Sequence, residues 1–238
     1  MKIDIHRVQA HRGASGEFPE NTLRAFRKAH EAGVTSIETD LSLLADGVLA
    51  IFHDPVLGRT VPGTASITSL TAEEVSKLDA GAWRGADHAG EAVPLMRDIL
   101  DWQQTTDIRF NWEMKIHGDE HRAAAVALAT HLEGRDLALS MVSSFDATFL
   151  AEIHEVLPAL PRALIVEDMP ADWKMIGQAM ALSAFHLDQE FVTSSLVHDI
   201  HDAGYLVRVY TVNDEADMAR MVEANVDVII SDYPERWL

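Results

Sequence analysis

Ser36-Ile37-Glu38-Thr39-Asp40-Leu41, followed by Ala45-Asp46-Gly47-Val48 and then Ile51-Phe52-His53-Asp54-Pro55, is the stretch whose reading decides the fold. Its first part alternates β-branched or apolar residues with acids, the pattern of a strand. Successive side chains of a strand point to opposite faces, so Glu38 and Asp40 share one face about 7 Å apart. Asp46-Gly47 between apolar runs marks a hairpin. With those two residues as the whole loop, Ala45 pairs with Val48 and, counting outward, Asp40 pairs with His53. Opposed residues project to the same side of the ribbon, so two carboxylates and one imidazole are expected to converge. Acids are depleted from strands, and two on one face repel unless a cation lies between them. Taken alone, the stretch fits either an acidic edge strand facing water or a metal site.

Outward from it, Val8-Gln9-Ala10 reads as a short buried strand running into His11-Arg12-Gly13-Ala14-Ser15-Gly16. Asn21 is the expected cap of a helix over 22–32, which Gly33 ends. Strands 36–43 and 48–53 follow. Glycine and proline punctuate 56–94, which reads as an insertion over one end of the main body, with one short helix over 71–78 opened by Thr71-Ala72-Glu73-Glu74. Beyond it, helices over 96–104, 120–131, 147–156, 173–180, 194–203 and 215–224 alternate with strands over 109–114, 138–142, 162–166, 184–187, 206–210 and 226–230. With the first two strands this makes eight parallel-type strands, and the length suits one closed (β/α)8 TIM barrel spanning 1–238. An open doubly wound sheet is the alternative. In such a barrel the C-terminal strand ends carry the chemistry. That rule selects His11, Arg12, Glu38, Asp40, His53, Glu113, Lys115, Ser143, Ser144, His186, Asp188, Tyr210, Ser231 and Asp232.

The bulk numbers bound the partners. Thirty-eight acids against 19 lysines and arginines give a formal net charge of −19. Such a surface repels nucleic acid and anionic membrane, and an anionic substrate would need a local cationic centre. There is no cysteine, so disulfides and thiolate metal sites are excluded. The opening residues lack the apolar core of a signal peptide, and no apolar run is long enough to span a bilayer. The expectation is therefore a soluble, cytoplasmic protein without stable membrane association, its oligomeric state left open. His117 with His121, and His198 with His201, have helical metal-ligand spacing but fall near helix starts or outer faces, and they read as solvated.

The ordered set of motifs closely resembles the glycerophosphodiester phosphodiesterases. His11-Arg12-Gly13-Ala14-Ser15-Gly16 with Pro19-Glu20-Asn21-Thr22 looks like that family's opening, Glu38-Thr39-Asp40 its E-x-D, Phe52-His53-Asp54-Pro55 its histidine turn and Glu113-Met114-Lys115 its E-x-K. Leu78 to Trp83 and Val93-Pro94-Leu95 look like landmarks of its small insertion. Tyr210 to Asp214 and Ser231-Asp232-Tyr233-Pro234 resemble the closing motifs, so the likeness runs from Val8 to Glu235. Two departures stand out: Tyr210 where the family usually has tryptophan, and Ser231 where it usually has threonine.

The resemblance implies hydrolysis of glycerophosphodiesters to sn-glycerol 3-phosphate and an alcohol. Glu38, Asp40 and Glu113 resemble the metal ligands, and three carboxylates without a thiol suit one hard divalent cation, Mg²⁺ or Ca²⁺, with Mn²⁺ as a third option. His11 and His53 are the expected acid–base pair, with the roles of the two unassigned. Arg12 and Lys115 are the expected phosphate-binding cations. Glu20, Phe18, Phe145 and Tyr210 are candidates for the pocket wall. The attacking group is either water or the glycerol 2-hydroxyl. Two other readings fit the same residues: a lipid phosphodiesterase of the lysophospholipase D or sphingomyelinase D kind, and a barrel that binds phosphoesters without cleaving them.

Overall fold

The alternation of apolar and polar faces is clearest in the strand that follows residue 108. In Arg109–Lys115 (β4), Phe110, Trp112 and Met114 are buried on one side, while Arg109, Asn111, Glu113 and Lys115 alternate with them on the other. A sheet that must bury one face under helices and keep the other for chemistry closes readily into a barrel. The computed structural model, which describes residues 2–238, shows that closure.

The barrel strands are Val8–His11 (β1), Ser36–Leu43 (β2), β4, Ser140–Ser144 (β5), Arg162–Val166 (β6), Ala184–Asp188 (β7), Leu206–Tyr210 (β8) and Val228–Ser231 (β9). All eight pair in parallel, and β1 pairs with both β9 and β2, so the ring is shut and the open sheet is excluded. Leu49–Ile51 (β3) is antiparallel to β2 and takes the part of its edge, Leu41–Leu43, that β1 leaves free. The outer helices are Leu23–Glu31 (α1), Met96–Gln103 (α3), His121–Leu132 (α4), Ala147–Val156 (α5), Trp173–Ala179 (α6), Ser194–Asp202 (α7) and Glu215–Glu223 (α8), with the short Ala72–Val75 (α2) between β3 and α3. Side-chain oxygens hold several helix starts: Thr22 accepts from Ala25 N–H, Asp146 from Phe149 N–H and Thr193 from Leu196 N–H. Phe26, Phe110, Trp112, Phe149 and Phe185 fill the layer between strands and helices, each no more than 1% exposed. Residues between β3 and α3 add no barrel strand and gather a separate apolar cluster around Phe52, Leu57, Val61, Ile67 and Val75. No described helix is long and apolar enough to cross a membrane.

Three local expectations are corrected. The hairpin loop holds three residues, Ala45-Asp46-Gly47, with Gly47 at φ +80° and Leu44 N–H bonded to the Val48 carbonyl. A type I turn completed by a left-handed glycine makes that loop length, and it shifts the register by one, so Leu41 faces Ile51 and the Phe52 N–H donates to the Asp40 carbonyl. His53 is therefore not opposite Asp40; it stands past the end of β3. Asn21 does not cap α1: it sits at φ +57° with its side chain turned into the barrel, and Thr22 is the cap. Strand β5 starts two residues late because Asp136 caps a turn of 3-10 helix over Leu137–Leu139, and it runs on through Ser143 and Ser144.

Candidate active site

Strand register assembles the site. Glu38 and Asp40 share a face of β2, Glu113 is the neighbour of Asp40 across β2 and β4, and His11 is the neighbour of Glu38 across β1 and β2. Ser231 lies beside Ala10, which puts the next residue, Asp232, beside His11. Pairing alone thus sets Asp232, His11, Glu38 with Asp40, and Glu113 in a row on consecutive strands at the C-terminal mouth. Carboxylate oxygens of Glu38, Asp40 and Glu113 lie within 4.8 Å of one another, and all three residues are buried. At that separation a pair of charges repels by roughly 3 kcal/mol for an effective dielectric of about 20. Burial, then the charges of Asp40 and Glu113, push the Glu38 carboxyl well above the ordinary range. Burial would raise Asp40 too, but Arg12 and Lys115 outweigh it and hold Asp40 well below.

Those two cations are built in. Arg12 Nε lies 3.0 Å from Asp40 Oδ2, and Lys115 Nζ lies 3.2 Å from Asp40 Oδ1 while also contacting Glu113. Asn21 Nδ2 donates to Asp40 Oδ2 at 2.7 Å, and its Oδ1 accepts from Thr39 Oγ1 at 2.8 Å. Arg12 is itself left-handed at φ +54°, held there by its N–H on the Glu38 carbonyl. The two glycines that follow are needed for contact. A Cβ on Gly13, at φ +83°, would lie 2.7 Å from the Ala25 carbonyl carbon, and one on Gly16 would lie 2.2 Å from the Tyr233 ring. Three carboxylates against two basic side chains leave a negative surplus, and Glu38 Oε1 is buried with no hydrogen-bond partner. An all-oxygen group with a free lone pair fits a hard cation.

Two imidazoles flank this group, each fixed at Nδ1 by a carboxylate. His11 Nδ1 lies 2.6 Å from Asp232 Oδ1, and His53 Nδ1 lies 2.7 Å from Asp54 Oδ1. Asp232 also accepts from Asn213 Nδ2 and Ser15 Oγ; burial works against its charge, but these bonds and the His11 imidazole bring it down to about 2. Asp54 is likewise held low against burial by Arg59 and His53, with Arg59 bridging it to Glu20. A carboxylate at Nδ1 sets the neutral ring with its proton there and leaves Nε2 basic. His11 Nε2 lies 3.9 Å from Glu38 Oε2.

Both rings line one cavity of about 230 Å³ with Arg12, Glu38, Glu113 and Lys115. Phe145 and Tyr210 also line it, ring to ring at 6.2 Å. Phe18 does not belong to this wall: it packs edge-on against His88, because its loop turns the ring towards the insertion. Glu20 supports Arg12 from behind, Oε1 to Nη1 at 2.8 Å, and stays outside the lining. Asp54, Arg59, Asn213 and Asn111 have no role in the sequence reading, and Asp232 and His186 enter it only through the strand-end rule; Asn111 and His186 line the cavity floor with buried polar atoms unpartnered. Asp54 and Asp232 stand in the quoted motifs, so a rule pairing each candidate imidazole with a carboxylate finds them. Neither histidine pair of helical spacing forms a cluster: His117 faces Ser42, His121 faces Asp146, His198 faces Asp202 and His201 faces Asp227.

Residues 11–236 match the model of the glycerophosphoryl diester phosphodiesterase family. The chain belongs to this family. A glycerophosphodiester phosphodiesterase of Caldanaerobacter subterraneus is 33% identical to it, over 96% of this chain and 94% of that one. An uncharacterised protein of Bacillus subtilis is 31% identical, over 97% of this chain and 96% of that one. Among solved structures, an Oleispira antarctica phosphodiesterase in complex with the product sn-glycerol-3-phosphate superposes with a TM-score of 0.93 at 31% identity, covering 97% of this chain and 94% of that one.

Proposed function

We propose that this family member hydrolyses glycerophosphodiesters to sn-glycerol 3-phosphate and an alcohol, with Glu38, Asp40 and Glu113 holding one divalent cation and His11 and His53 moving the protons. The observation that carries the reading is the buried carboxylate group, with Glu38 Oε1 unpartnered, set in one cavity with two imidazoles whose Nδ1 atoms are already engaged. The donor set is all oxygen, which favours Mg²⁺, Ca²⁺ or Mn²⁺ over softer ions. When bound, such a cation supplies Lewis-acid polarisation of a phosphoryl oxygen and turns the site's surplus negative charge into a positive one.

The side chains do the rest. Arg12 and Lys115 face the cavity as phosphate-binding cations and stabilise charge that builds on the non-bridging oxygens. One Nε2 accepts the proton of the attacking hydroxyl, from water or from the glycerol 2-OH, as the new P–O bond forms. The other Nε2 delivers a proton to the alkoxide as its P–O bond breaks; on the 2-OH route this leaves a cyclic phosphate, which water then opens to sn-glycerol 3-phosphate with the two rings exchanging roles. Asp232 and Asp54 hold both rings in register and stabilise each imidazolium in turn. A 230 Å³ cavity suits a small phosphoester. The head group would run past Phe145 into the adjoining recess, which shares His53, Lys115 and Phe145 with it and is walled by Pro55, His117 and Asp146.

The test is release of sn-glycerol 3-phosphate from a panel of glycerophosphodiesters by metal-stripped enzyme, before and after addition of Mg²⁺, Ca²⁺ or Mn²⁺. Stripping is expected to cost at least about 10³-fold, restored by at least one ion. Full turnover without metal would overturn the cation reading, and no product from any diester with any ion would overturn the substrate reading.

A further inference from the structure

The opposite mouth of the barrel holds a second cavity, of about 330 Å³, lined by Gln9, Ser36, Arg109, Arg208 and the hydroxyl-bearing Ser140 and Ser183. Ser36, Arg109 and Ser140 are the first residues of β2, β4 and β5, which places this cavity at the strand starts, away from the catalytic rim. It shares no lining residue with the catalytic cavity.

Its charge is unusual for this chain. Acids outnumber basic side chains two to one, yet neither Arg109 nor Arg208 has a carboxylate within ion-pair distance among the described residues. Arg208 Nη1 reaches Gln9 Oε1 only at 3.5 Å, and Arg208 Nε is buried with no partner. Arg109 Nη2 faces His6 Nδ1 at 3.4 Å. Asp227, whose charge reaches Arg208, has its Oδ2 taken by His201 Nε2 at 2.8 Å and by the Val207 N–H at 2.7 Å. Burial, then the charge of Arg109, pull the Arg208 guanidinium down to about 10, with Asp227 offsetting only part of this. A buried cation without a counter-charge is costly, by several kcal/mol in effective terms, and Arg208, its Nε buried, faces the same space as the more exposed Arg109.

We propose that this mouth is a second ligand site, which takes a small oxyanion, phosphate or a phosphate monoester, between the guanidinium forks of Arg109 and Arg208. Guanidinium groups present paired N–H donors that match phosphate oxygens. Ser36 Oγ accepts from Gln9 Nε2 at 2.6 Å and keeps its own proton to donate. Met141, Ala184 and Leu206 supply the apolar part of the lining, fit for a short carbon chain on the ester oxygen. Arg208 is the register neighbour of His186, which lines the floor of the first cavity. The site does not depend on the reaction proposed above.

The experiment follows the Arg208 Nε–H resonance of the full-length protein while inorganic phosphate, sn-glycerol 3-phosphate or, as a matched-ionic-strength control, chloride is added. In the same titrations the His11 and His53 ring signals report on the catalytic cavity. A saturable Arg208 shift with phosphate and with the monoester is expected, and a shift with the monoester alone also supports the site, by making the carbon chain part of recognition. Arg109→Gln, on the exposed rim and outside the catalytic group, should weaken that response at least about tenfold while the imidazole response stays as in the parent. An Arg208 signal that moves with neither anion, moves as much with chloride, or responds equally in the Arg109→Gln protein overturns the proposal.

Discussion

The two imidazole–carboxylate pairs make the same bond and are built in opposite ways. His53 and Asp54 are consecutive residues on the turn after β3, and their third member, Arg59, lies five positions on. His11 and Asp232 stand 221 positions apart and meet only because β9 pairs with β1, with Asn213 and Ser15 closing the cage. One pair needs a local turn; the other needs the whole barrel shut. The loop imidazole is also the wetter one, with the His53 side chain 32% exposed against 17% for His11, while the order is reversed for the carboxylates, 17% for Asp54 against 29% for Asp232. The role proposed for both rings thus rests on one support that any local distortion reaches and one tied to the global fold.

Removing either ring tests whether both supports serve one reaction. His11→Ala and His53→Ala are each expected to lower kcat by about 10²- to 10⁴-fold with the far-UV spectrum unchanged, since each deletes a proton-transfer group. Parent-like turnover in either would break the symmetry. The carboxylates come next. Asp232→Asn should cost about 100-fold and Asp54→Asn about 10-fold in kcat/KM, the range for groups that orient a functional imidazole. Asp232 is given the larger loss because its cage leaves the ring no alternative partner. The reverse order would show that the loop carries the more demanding step.

What could be read in advance follows the same division. Glu38, Asp40 and Glu113 were legible because period-two spacing and residue type survive in a linear string, and so was the strand–helix alternation that closes the barrel. His53 is selected through a hairpin register wrong by one and through the Phe52-His53-Asp54-Pro55 motif, and it reaches the cavity all the same because the chain leaves β3 at Ile51 towards it. Asn21 reads as a cap and is not one: asparagine suits both a helix start and a left-handed site that points its amide at Asp40, and only the barrel behind it separates the two. The strand-end rule reaches Asp232 but gives it no task, and Asn213 is not reached, because the register that sets Asp232 beside His11 is fixed only when β9 pairs with β1. Arg109 and Arg208 look like ordinary surface charges until both prove to face inward.

Acid stability probes the barrel-tied support directly. Asp232 is brought down from its ordinary 3.8 to about 2 in the folded chain. A carboxylate depressed by folding contributes stability above its ordinary value and loses it as pH falls through the folded one. The stability gap between parent and Asp232→Asn should therefore be full, up to about 2 kcal/mol, near neutral pH, and close between about pH 4 and pH 2. Urea titrations of both proteins across that range read the gap, and one that stays constant to the acid end would mean that the His11–Asp232 contact contributes nothing through charge.

The smallest effect is expected on the loop side. Arg59 joins Asp54 to Glu20 through several short bonds, yet its side chain is 45% exposed. Ion pairs so open to water are worth about 1 kcal/mol at most, because solvent screens the charges and ordering a long side chain offsets much of the attraction. Arg59→Gln should then lower kcat/KM by no more than about fivefold, and added salt should shrink the difference between the two proteins. Glu20 retains Arg12 when Arg59 is gone, so the phosphate-facing cation keeps its support and the loss should appear in kcat, through a less firmly held His53. A drop as large as that of Asp54→Asn would mean that Arg59 fixes the loop itself, and the local pair would then depend on its surroundings as heavily as the barrel pair does.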